Sequence, residues 1–153
     1  MKGALAPGAR MFARHKLTTY AITISTLRQH RHFQKTASAE LFIETLFRYR
    51  DQKKFLLHGF VVMPDHVHLL ITPSMDQTTA RCVQLIEGGY SHAAAGHGLI
   101  WHSGYFEHSV RDESDFCAQL AYIAGNPDRK QYVDYPHVHT RYLDRMDPNP
   151  IQS

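Results

Sequence analysis

The chain has 153 residues, 43% hydrophobic and 20% charged, which fits a single soluble globular domain with a real core. No apolar run approaches the ~20 residues of a membrane span. The two cysteines, Cys82 and Cys117, form neither a disulfide framework nor a CxxC zinc pattern, which suits a reducing cytoplasm. A net charge of +3 permits a nucleic-acid partner without demanding one.

Residues 1–15 mix Gly, Pro, Ala and basic residues and read as a loose arm. Arg10 and Arg14 follow its short apolar run too closely for a secretion signal. Residues 17–24 alternate, with Tyr20, Ile22 and Ile24 on one face and Thr19, Ala21 and Thr23 on the other, the pattern of a strand. Residues 27–35 are polar and basic without a period; this loop is either a solvated connection or a phosphate-contacting segment. Leu41, Phe42, Thr45, Leu46 and Tyr49 then recur at helical spacing, with Ser38 as the expected cap.

Two apolar runs, 55–63 and 67–71, follow, parted by Pro64-Asp65. They read as two strands joined by a tight turn. At the start of the second, His66 and His68 point to the same face because successive strand residues alternate. Two imidazoles so placed can hold one metal ion, or can simply be hydrogen-bonded at a strand end. The pairs His30/His32 and His137/His139 share the spacing but lie in polar stretches, so His66/His68 is the better metal candidate.

Residues 76–95 read as a helix with Val83, Leu85 and Ile86 inward, weakened in its second half by Gly88-Gly89. Residues 100–108, with Trp101, Tyr105 and Phe106 around Gly104, read as a short aromatic strand. Those rings are core residues or, singly, base-stacking surfaces. A last helix starts from Asp112, with Asp112 or Ser114 able to cap it, and turns Phe116, Leu120 and Ile123 to the core. Tyr122 and Asn126, four apart, lie one above the other at the edge of that face. Gly125-Asn126-Pro127 ends the helix, residues 128–133 have room for a further turn, and the tail from Pro136 is irregular. The domain is expected over 16–135 with a tail at 136–153. The order β-α-β-β-α-β-α fits an α+β, ferredoxin-like (split βαβ) antiparallel sheet with helices on one side. In that fold the hairpin carrying His66 and His68 is expected at the centre of the sheet.

Pro64-Asp65-His66-Val67-His68-Leu69-Leu70 resembles the HUH motif (His-hydrophobic-His) of the single-tyrosine transposases. Residues 101–111 resemble that family's next block. Leu120-Ala121-Tyr122-Ile123-Ala124-Gly125-Asn126-Pro127 resembles the block with its catalytic tyrosine, and its ending is nearest the REP-associated branch. The resemblance runs over residues 17–133. It implies a ferredoxin-like sheet with the tyrosine on a C-terminal helix. It further implies Tyr122 as nucleophile, His66 and His68 as metal ligands, and Asn126 as third protein ligand where insertion-sequence relatives often carry glutamine. The implied cofactor is Mg²⁺ or Mn²⁺, and the implied partner is single-stranded or hairpin DNA, bound by a monomer or a homodimer. Asp128 departs from the Asn-Pro-Val continuation common in the family.

The reaction implied is cleavage and rejoining of single-stranded DNA through a 5′-phosphotyrosine. A free phenol has a pKa near ~10, so Tyr122 needs deprotonation or polarisation to attack. His108 and a metal-bound water are the candidate bases, although a histidine in that position is more often a structural hydrogen-bonder. Arg14, Lys16, Arg111, Arg129 and Lys130 are the candidate phosphate contacts, with Arg129 and Lys130 foremost because they follow the tyrosine helix. Taken singly, each is a solvated surface charge, and Tyr122 without the resemblance is a tyrosine on the shoulder of a packed helix. Two other functions stay open: a DNA-binding module of this fold without cleavage, and a His-rich zinc hydrolase.

Overall fold

The computed structural model describes residues 17–95 and 98–150. Four strands form where the alternating or continuous apolar runs lie: β1 (Tyr20–Ser25), β2 (Phe55–Met63), β3 (His66–Pro73) and β4 (Phe106–Ser109). They make one antiparallel sheet in the order β2-β3-β1-β4. Helix α1 (Thr36–Asp51) connects β1 to β2, and helix α2 (Thr79–Ala93) connects β3 to β4. After β4 come helix α3 (Glu113–Ala124) and a single turn, α4 (Asn126–Arg129). This is the ferredoxin-like order.

Helices α1 and α2 cover one side of the sheet. Ile22 and Ile24 of β1 meet Phe42 and Leu46 of α1, Phe60 and Val62 of β2, Leu69 and Ile71 of β3, and Ile86 and Tyr90 of α2 in one buried cluster. The intervening residues of β2 and β3 face the other side. There Val61, Met63 and Leu70 pack under Phe116, Leu120 and Ile123 of α3. Both faces of β2 and β3 are therefore covered, which is why these strands read as unbroken apolar runs rather than alternating ones. Gly59 permits the close approach of α3, since a Cβ there would lie 2.6 Å from Leu120 Cδ1. Burying Phe116 and Ile123 fully contributes roughly 1.5–3 kcal/mol each.

The hairpin is not central as a unit. β2 is the edge strand, and only β3 is interior, so His66 and His68 keep an interior strand while their partner hairpin arm lies at the rim. The chain after Pro136 covers that rim. Val61 bridges Val138, Val62 N–H donates to His137 C=O at 2.8 Å, and Phe60 N–H donates to His139 Nδ1 at 3.1 Å. Further along, Leu57 N–H donates to Asp147 Oδ2 at 2.8 Å, and the Arg50 guanidinium binds both Asp147 oxygens at 3.1 and 2.8 Å. Irregular backbone thus occupies an edge that would otherwise invite strand addition.

Other local expectations shift. The strand expected over 100–108 is limited to Phe106–Ser109, because Trp101 turns into the core, where its Nε1–H donates to Glu87 C=O at 3.2 Å. Helix α1 begins earlier than Ser38, with Lys35 at its N-cap, and Ser38 is buried inside it. In α2, Cys82 and Tyr90 join Val83 and Ile86 inside, whereas Leu85 is half-buried. The basic loop after β1 forms two 3₁₀ turns pinned by buried Phe33 and by His32 Nε2 against the Tyr90 hydroxyl at 2.7 Å. No helix among the described residues is long and apolar enough to cross a membrane.

Asp147→Ala leaves Leu57 N–H without its acceptor and Arg50 with Asp51 alone, and so loosens the end of the tail on β2. The expected outcome is a loss of about 1–3 kcal/mol in urea unfolding, with faster tryptic cleavage at Arg141 and Arg145 than in the wild type.

Candidate active site

The turn Pro64-Asp65 sets the start of β3. Pro64 C=O accepts from Phe33 N–H at 2.9 Å, and Asp65 C=O accepts from Thr26 N–H at 3.0 Å and from the Thr26 hydroxyl at 2.9 Å. From this anchored turn, His66 and His68 rise on the face covered further along by α3. Their ring centroids are 4.8 Å apart at an interplanar angle of 79°. Each ring is held from behind. His66 Nδ1–H donates to Asp65 Oδ1 at 2.7 Å, and His68 Nδ1 lies 2.9 Å from the Thr23 hydroxyl on the neighbouring strand. Occupying both Nδ1 atoms leaves Nε2 as the ligating nitrogen of each ring, the usual way a metal-binding histidine is oriented. Burial lowers the His68 imidazole to about 4, and nearby His66 and Arg129 push the same way. His68 is therefore neutral at neutral pH, with a lone pair to offer.

Helix α3 brings the tyrosine to this pair. Asp112 caps it as expected, its side chain accepting from Asp115 N–H at 2.8 Å. The Phe116–Leu120–Ile123 face is inward, so Tyr122 falls at its edge, 51% exposed, with its ring centroid 5.8 Å from that of His68 at 81°. The Arg129 guanidinium carbon sits 3.9 Å over the Tyr122 ring, and Nη2 donates to the Tyr122 carbonyl. Asn126 is 3% exposed, and its Oδ1 is buried with no hydrogen-bond partner. A buried amide oxygen without a donor is costly unless something positive satisfies it. Among the described residues no group of three His, Cys, Asp or Glu could hold a metal ion. In chemical type, an unpartnered amide oxygen such as that of Asn126 suits a divalent ion held by two imidazoles.

His108, on β4, is a hydrogen-bonder: its Nε2–H donates to Asp115 Oδ2 at 2.8 Å. Asp115 is a hub that also accepts from Arg111 N–H at 3.0 Å, Arg111 Nε at 3.3 Å and Gln119 Nε2 at 3.3 Å. The Arg111 amide foremost, then His108 and Gln119, overcome the effect of burial and hold its carboxyl well below the usual range. Among the expected phosphate contacts, Arg129 stands beside Tyr122, Lys130 is exposed one residue on, and Arg111 is 78% exposed but tethered to Asp115. Arg14 and Lys16 lie outside the described residues. Sequence reasoning missed the supporting side chains Thr23 and Asp65. The strand alternation had put Thr23 on the right face, but nothing in one strand says which residue of its neighbour lies opposite.

The sequence profile of the family described as "Transposase IS200 like" matches residues 14–126. The REP-associated tyrosine transposase of Escherichia coli (strain K12) is 27% identical over 123 residues, covering 77% of this chain and 73% of that protein. A solved structure of a REP-associated tyrosine transposase bound to a REP hairpin superimposes with a TM-score of 0.72 at 20% identity, covering 100% of this chain and 92% of that one. At that identity the superposition speaks for the fold.

Asp115 links β4 to the first turn of the helix that carries Tyr122. Asp115→Asn is expected to cost about 1–2 kcal/mol at pH 7. Because the carboxyl is depressed in the folded state, its contribution is complete above the ordinary carboxylate range and fades as pH falls through the folded value. The gap between wild type and variant in urea unfolding should therefore persist from pH 7 to 5 and narrow in stronger acid.

Proposed function

The chain belongs to the IS200-like transposase family, and from that premise we propose that it cuts and rejoins single-stranded DNA through a covalent 5′-phosphotyrosine on Tyr122. The observation that carries this reading is the meeting of Tyr122 with the oriented pair His66/His68, 5.8 Å from His68 by ring centroid, on an otherwise packed helix. A REP-associated relative bound to a REP hairpin supports hairpin-forming DNA as the substrate class.

In this reading the Tyr122 hydroxyl oxygen attacks the scissile phosphorus and gives up its proton. The bond from phosphorus to the 3′ oxygen breaks, and that oxygen leaves, protonated, as a free 3′-hydroxyl. The bond energy stays in the phosphotyrosine, so a second 3′-hydroxyl can reverse the step and join strands. Arg129, stacked on the ring and bonded to the Tyr122 carbonyl, restrains the nucleophile and puts a positive charge beside the phosphate. The exposure of Tyr122 lets DNA reach it without moving the core.

His66, His68 and Asn126 would hold a divalent cation. When bound, such an ion supplies charge neutralisation at the phosphate and fixes its orientation. Two imidazoles favour Mn²⁺ over Mg²⁺ in binding strength, while cellular supply favours Mg²⁺. Thr23 and Asp65 keep the two rings turned so that Nε2 faces outward.

Incubation of labelled hairpin DNA with the wild type and Mn²⁺ should give a band that survives denaturation. Tyr122→Phe should lose that band entirely while binding the same DNA. Binding without any covalent product in the wild type would leave only a DNA-binding module of this fold. Thr23→Val removes the hydroxyl behind His68 without changing side-chain size, and titration calorimetry should show Mn²⁺ affinity reduced by roughly 10-fold or more. Unchanged affinity would show that the Thr23 hydroxyl does not support metal binding, and His68→Ala, which removes the ring itself, should then abolish it if His68 is a ligand.

A further inference from the structure

The three aromatic residues around Gly104 meet different fates. Trp101 and Tyr105 are both half-buried against the core, Trp101 through its Nε1–H on Glu87 C=O and Tyr105 with its hydroxyl 3.1 Å from Thr79 Oγ1. Phe106 is 68% exposed although it lies in a strand. Its position is set by register. Thr23 of β1 pairs with His68 on one side and with Phe106 on the other, so His68, Thr23 and Phe106 form one row across the sheet. At the usual strand spacing the two ends of that row are about 10 Å apart. Residues directly opposite one another share a face, so Phe106 stands on the same side of the sheet as the imidazoles.

Beside Phe106 is a hollow of about 360 Å³ lined by Thr23, Ser25, His102 and Ser103 as well as the ring. Ser25 and His102 also border a second hollow of about 350 Å³ that reaches Arg28. The two hollows adjoin at Ser25 and His102, so Phe106 borders one side of that pair and Arg28 the other. That is the chemistry of a nucleotide: a flat π-surface, polar base edges and a negative phosphate.

We propose that these adjoining hollows seat an unpaired nucleobase of the single strand beside the scissile phosphate, stacked on Phe106, with Arg28 facing its phosphate. The proposal rests on the strand-cutting role above and deepens it by naming a positioning residue outside the tyrosine–histidine cluster. The row His68–Thr23–Phe106 sets how far from the cut the base must lie. A stacked base there fixes the strand's path over Tyr122, and because every base has a π-face the contact tolerates sequence.

The test uses fluorescein-labelled (dT)₁₂ with the full chain in EDTA, read by anisotropy. Phe106→Ala should weaken binding by about tenfold, and Phe106→Tyr should stay within about twofold of the wild type. Met75→Ala, which removes a different exposed apolar side chain, should bind like the wild type. Arg28→Ala should lower the slope of log affinity against log salt by about one. Thermal melts of all four variants check that each is folded. Binding by Phe106→Ala within twofold of the wild type, or a Phe106→Tyr variant as weak as Phe106→Ala, overturns the stacking site. An unchanged salt slope in Arg28→Ala overturns its phosphate contact. A wild type that forms the covalent product while Phe106→Ala binds normally refutes this inference alone. A wild type with neither product nor (dT)₁₂ binding refutes this inference and the proposed function together.

Discussion

The packing of α3 on the second face of the sheet is the constraint from which the site follows. Phe116, Leu120 and Ile123 lie on Val61, Met63 and Leu70, and Gly59 lets Leu120 come closer than any side chain at that position would allow. Once those contacts fix the rotation of the helix, its geometry decides the rest. Tyr122 must emerge at the edge of the buried face, next to His68, and Asn126 must follow one turn later. The same face of β3 supplies His66 and His68 by strand alternation alone. β3 thus brings His66 and His68, and α3 brings Tyr122, to one place with no loop required to hold them. Asp115 and the Asp112 cap lock the start of that helix to β4, so the far end is aimed from a fixed base.

Around this frame, charge is arranged with economy. The two imidazoles are each tied at Nδ1, one by a carboxylate and one by a hydroxyl, and burial keeps His68 neutral. Arg129 lies on the tyrosine ring, and among the described residues it forms no ion pair with a carboxylate. A positive group that is not neutralised by an acidic partner remains available to an anion. In the turn that follows the tyrosine helix, the buried Asn126 amide oxygen has no hydrogen-bond partner and asks for a cation or a donor. On the proposed reading these groups serve a divalent ion and a phosphate together.

Much of this was legible in the chain. The alternation of residues 17–24, the Pro-Asp break and the 3.6-residue spacing of Phe116, Leu120 and Ile123 give the elements and the faces, and the fold order follows from them. The place of Tyr122 at the edge of the packed helix face was readable too, whereas Asn126 falls in the separate turn after Gly125 and is buried. What was not readable depends on register and on residues far apart in sequence. Thr23 meets His68 across 45 positions, and Asp147 reaches back 97 positions to Arg50. A polar, proline-bearing tail carries no period to show that it will cover a sheet edge, so β2 passed for a central strand because both its faces are apolar. Trp101 and Phe106, five residues apart in one aromatic stretch, go to the core and to the surface, and composition does not distinguish them.

The central claim is that His66, His68 and Asn126 share one cation beside Tyr122. A crystal soaked in MnCl₂ and measured at the manganese absorption edge tests it directly. The account predicts a single strong anomalous peak within ligand distance of both Nε2 atoms and of Asn126 Oδ1. A peak held by other residues, or no peak at the imidazole pair at saturating Mn²⁺, would contradict it.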